Sequence, residues 1–155
     1  MPADWCASIS LLLGIVHRKR GEFHDAERKI TDALRFYKEI GDQINLATAC
    51  LALGDVARGR ALAEEQDART SQNWEDALDR YLAAEAILMG MDSEAFQKDD
   101  AQRIYVQVLW AVGRVMLFQG NQLDQAQARF VRAWCLSRRL RFYWAQEECA
   151  QLIGR

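Results

Sequence analysis

Apolar residues recur along most of the chain at spacings of three and four, the period of one helix face, and no stretch alternates apolar and polar like a strand bounded by tight turns. The stretch "SISLLLGIVHRKRGEFHDAERKITDAL" sets the pattern: an apolar helix containing a glycine, a second glycine that ends it, then a helix with Ala26, Ile30 and Ala33 on one face. The same two-part pattern returns in "ATACLALGDVARGRA" and in "YVQVLWAVGRVMLFQGNQLDQAQARFVRAW". Each first helix carries glycine directly after an apolar residue: Leu13-Gly14, Leu53-Gly54 and Val112-Gly113. The second helices carry Ala77, Tyr81 and Ala84, then Ala126, Phe130 and Ala133, at the same four-and-three spacing. Glycine allows two helix backbones to cross closely, and the bulky middle residue fills the gap beside it.

This pattern predicts an all-α chain of about seven helices in one domain. The hairpins cover residues 5–40, 42–90 and 94–140, and a terminal helix, 142–154, repeats the motif as Ile153-Gly154. Asp4 is expected to cap the first helix. Gly21, Gly41, Gly90 and Gly120 are expected just past helix ends in the left-handed conformation. Gly59 has no assigned role. The packing glycines are separated by 40, 59 and 41 residues, so the second unit holds an insertion of about eleven residues near 60–72. Strong helix formers in "ALAEEQDARTSQ" predict helix continuing to about Arg69, although a loop is the alternative.

The small residue in the first helix and the alanine, bulky, alanine triplet in the second resemble the tetratricopeptide repeat. Units near 40 residues resemble the elongated arrays of bacterial signal-transducing ATPases and transcription regulators. The resemblance implies a right-handed α-solenoid whose first helices line a concave groove. Transferring the groove positions gives Leu11, Ile15, Arg18 and Lys19, then Thr48, Leu51, Asp55 and Arg58, then Gln107, Trp110, Arg114, Leu117 and Phe118. Apolar anchors with four cations and one acid suit an extended or helical peptide bearing apolar and acidic residues. Trp110 and Phe118 could equally pack against a neighbouring helix or the terminal one. Leu11 and Ile15 stand where chaperone-binding relatives need a polar clamp, so chaperone C-termini are not expected.

Composition narrows the function classes. Half of the 155 residues are hydrophobic and 27% charged, a globular balance, and Pro2 is the only proline. Net charge is −2, but residues 61–100 carry −8 and residues 101–155 carry +5. That asymmetry allows steering of a partner or contact between copies, while the overall balance excludes a dedicated nucleic-acid binder. Cys6, Cys50, Cys135 and Cys149 are scattered among apolar residues, which suggests buried thiols in a reducing cytoplasm. The apolar run from Ile9 to Val16 is too short to span a membrane and lacks the basic flank of a signal peptide.

No chemistry assembles from the remaining polar residues. His17 and His24 stand across a helix end without ligand partners at metal spacing, so neither metal nor cofactor is expected. Catalytic elbows and phosphate-binding glycine loops are absent, and the acid pairs Glu64-Glu65, Asp99-Asp100 and Glu147-Glu148 diverge on a helix. The basic runs "HRKR" and "RRLR" fall where helix dipoles favour cations. The sequence therefore points to a non-enzymatic, protein-binding scaffold; the alternative is a sensor or oligomerisation segment of a bacterial signalling or transcription regulator.

Overall fold

The computed structural model describes residues 2–64 and 71–142. Seven helices and no strand occur among them: α1 (Ala3–Lys19), α2 (Phe23–Ile40), α3 (Gln43–Ala63), α4 (Gln72–Met89), α5 (Ser93–Phe96), α6 (Asp99–Gln119) and α7 (Leu123–Arg139). The all-α expectation therefore holds. The four-residue α5 was not foreseen, and the expected terminal helix, with Gly154, Cys149 and Glu147-Glu148, lies outside the described residues.

Local chemistry sets the helix ends. The Asp42 carboxylate accepts from the Asn45 backbone N–H at 3.0 Å and starts α3, and Asp92 does the same for α5 through Ala95 N–H at 2.9 Å. Gly41 and Gly120 close α2 and α6 at φ of +74° and +71°, which a side chain would resist. Gly90 lacks that conformation: its N–H still bonds to the Ala86 carbonyl, so it continues the helix geometry by one residue. Asp4 is also not a cap. Pro2 precedes α1, and Asp4 sits in the first turn, where its charge meets the positive helix end. The basic runs occupy the last turns of α1 and α7, as the dipole argument required.

The chain divides into two compact units, Met1–Ala84 and Glu85–Arg155. In the first, α1, α2 and α3 pack on one another around Ala7, Leu11, Ala26, Ile30, Ala33, Tyr37, Ala49, Leu53 and Val56. In the second, α6 packs on α7 through Tyr105, Val108, Leu109, Val112, Val115, Phe130 and Ala133, all nearly inaccessible to water.

The packing glycines sit where helices cross. A Cβ at Gly14 would strike Ile30, one at Gly54 would strike the Tyr81 ring, and one at Gly113 would fall 2.6 Å from Phe130 Cε1. Each glycine thus meets the bulky middle residue of the following helix's triplet. Gly59 has the same role toward a different partner, since a Cβ there would lie 2.7 Å from Phe23 Cε1. α3 stops at Ala63 and Glu64 is extended, so helix does not run unbroken toward Arg69; residues 65–70 are outside the described set. Cys50 is buried as expected, but Cys6 and Cys135 are exposed because they lie on outward faces of α1 and α7.

Candidate binding surfaces

The groove positions of the first unit differ in what they present. Leu11 and Leu51 are buried and support the surface from beneath. Ile15, Arg18 and Thr48 are half-buried, and Lys19 is exposed. On α3, the Asp55 carboxylate accepts the Tyr81 hydroxyl at 2.7 Å and lies 3.7 Å from the Arg58 guanidinium. Asp55 and Arg58 therefore belong partly to the fold: they anchor the ring that fills the gap at Gly54.

The Tyr81 side chain is fully buried. Burial pushes its phenol well above the usual tyrosine range, the Asp55 carboxylate raises it further, and Arg58 offsets part of the rise. Burial also raises Tyr105. An unfolded tyrosine ionises near pH 10. Because the folded value is higher, the stability from Tyr81 is complete below that pH and falls away above it. Tyr81→Phe should cost about 1 kcal/mol at neutral pH through the lost hydrogen bond. It should also flatten the loss of thermal stability above pH 10, and melting curves from pH 7 to 11 would reveal an unchanged alkaline slope if this linkage is wrong.

The second unit brings its groove positions together on α6. The Arg114 guanidinium stacks on the Trp110 indole, 4.5 Å from the ring centroid, one helical turn apart. Gln107 and Trp110 are half-buried, while Arg114, Leu117 and Phe118 are exposed. The result is an aromatic and aliphatic strip with a cation over the Trp110 ring, a combination that binds apolar and acidic side chains well.

A cleft of about 360 Å³ in the first unit was not read from the sequence. Leu53, Val56, Ala57 and Ala83 form its apolar lining, and Asp76, Asp79 and Arg80 of α4 stand at its edge. Across it, Arg60 of α3 pairs with Glu27 of α2 at 2.5 Å and reaches the Phe23 carbonyl at 3.4 Å. The signal was obscured because its charged residues come from three helices and share no local motif. Its volume falls in the usual range for small-ligand pockets.

Among the described residues, no group of three His, Cys, Asp or Glu side chains could hold a metal, and no helix is long and apolar enough to cross a membrane. No protein-family model matches the chain, and no curated protein matches it.

Proposed function

We propose that this chain is a tetratricopeptide-like, right-handed α-solenoid that acts as a non-catalytic scaffold, binding a polypeptide with apolar and acidic residues along its first helices. The Trp110 and Arg114 stack is the observation that carries this reading. Stacking limits the freedom of both side chains before a partner arrives, so less ordering cost falls on binding. The contacts of Gly14, Gly54 and Gly113 with Ile30, Tyr81 and Phe130 support the family reading, because that is the packing its repeat requires. Scattered free cysteines fit a cytoplasmic setting, and the elongated units fit a bacterial signalling context.

A fluorescent library of peptides alternating glutamate with leucine or phenylalanine provides the test. The best binder should lose at least tenfold in affinity to Arg114→Glu and more to the Trp110→Ala, Arg114→Glu pair. Melting curves of the single variant check that the fold is kept, and equal affinity in a folded Arg114→Glu protein would rule out the α6 strip. The cleft at Arg60 favours the second reading, a sensor segment responding to a small effector. Under that reading, peptides leave the protein indifferent and a polar metabolite panel raises its melting temperature.

A further inference from the structure

α1 is apolar on two opposite faces. Ala7, Leu11 and Gly14 are buried within the first unit. Opposite them, Trp5, Ile9, Leu12, Leu13 and Val16 stand between 41% and 62% exposed. At about 100° per residue, these five fall within an arc of roughly 100°, a continuous strip along the helix. α3, which occupies the same place in the next hairpin, is equally apolar but buried along most of its length. α1 thus has the makeup of a covered helix with one face in water. Its strip amounts to roughly 500 Å² of apolar surface, the scale at which a patch marks an interaction site.

We propose that a second copy of this chain covers the strip, with the two α1 helices packed antiparallel about a two-fold axis. The order of side chains is self-complementary in that arrangement: Trp5 of each copy faces Val16 of the other, and Ile9 faces Leu12. Large residues at one end therefore meet smaller ones at the other. Charge favours the same orientation: the last turn of α1 carries His17, Arg18 and Lys19, and parallel packing would set these basic turns of the two copies side by side, whereas antiparallel packing keeps them at opposite ends. The strip from two copies comes to about 1,000 Å², near the lower limit for a specific interface, so the dimer should dissociate on dilution.

Sedimentation velocity on the full chain tests this over a wide concentration range. The expected mass is twice that of one chain at high concentration, falling to one chain on dilution. Leu12→Glu should give a single-chain mass throughout, while circular dichroism and the melting point match those of the dilute parent, because Leu12 is 62% exposed. A parent that never exceeds one chain mass overturns the proposal, as does a dimer that tolerates Leu12→Glu. Arg114→Glu leaves this dimer intact, so failure here and failure of the peptide-binding reading are seen separately.

Discussion

Gly54→Val should lower the stability of the chain by about 3 kcal/mol or more, which corresponds to a fall of roughly 6–12 °C in melting temperature. A Cβ at this position would lie 2.5 Å from Tyr81 Cδ1, far inside van der Waals contact. Neither side can move away cheaply. Tyr81 is fully buried and its hydroxyl is held by Asp55 at 2.7 Å, so the ring cannot rotate out without stranding a polar group. Valine gains a few tenths of a kcal/mol in helix propensity over glycine, far too little to compensate. Tyr81→Leu should relieve the clash: the double variant is expected to be at least 1 kcal/mol more stable than the two single effects summed. Gly14→Val should be costly as well, since a Cβ there would strike the fully buried Ile30 side chain and lie 3.1 Å from the Ala26 carbonyl oxygen, which belongs to the backbone and cannot swing aside. Thermal melts of all four proteins decide the matter, and a Gly54→Val protein that melts like the parent would remove the close crossing from the account of this fold.

Much of this packing was legible because it repeats. The glycine after an apolar residue and the alanine triplets located Gly14, Gly54 and Gly113 and their partners Ile30, Tyr81 and Phe130, since close helix crossings restrict side-chain size position by position. Gly59 was not legible. Its partner Phe23 lies at the start of α2, outside the triplet pattern, and a single glycine in a helix carries no sign of what approaches it. The end of α3 was misjudged for a related reason. Helix propensity favoured continuation past Ala63, but propensity is a weak local term, and the extended Glu64 ends the helix there.

The candidate surfaces were legible only as positions. Spacing placed Trp110, Arg114 and Phe118 on one face of α6, and the structure joins the first two in a stack. Leu11 and Leu51 fit the same spacing but are buried, because a helix covered by two neighbours presents a narrower open face than the repeat pattern alone implies. Asp55 and Arg58 illustrate a further limit. Their charges suggested a partner in solution, yet the Tyr81 hydroxyl already occupies the carboxylate. The exposed strip of α1 was visible as an apolar run, but sequence could not show that only one of its two sides is covered.

The other large effect is expected at Gln102, a polar residue that reads as an ordinary helix position and proves to be 1% exposed. Its Nε2 donates to the Phe96 carbonyl at 2.6 Å, and its Oε1 accepts from the Arg139 guanidinium at 2.9 Å. One amide thus satisfies a carbonyl left open at the end of α5 and ties α7 to α6. Gln102→Leu keeps the volume but leaves the half-buried Phe96 carbonyl and the exposed Arg139 guanidinium without this partner. The cost should be roughly 1–3 kcal/mol, because the half-buried carbonyl loses its hydrogen bond while the exposed guanidinium can turn to water. Arg139→Leu alone should cost less: Arg139 is exposed, and only the Gln102 oxygen loses its partner. Combining the two should cost clearly less than their sum, since leucine at 102 removes the oxygen that Arg139→Leu would orphan. Urea unfolding with an unchanged slope would assign these differences to the native state. A Gln102→Leu protein within 0.5 kcal/mol of the parent, on the order of an ordinary surface change, would show that α5 is held by something other than this amide.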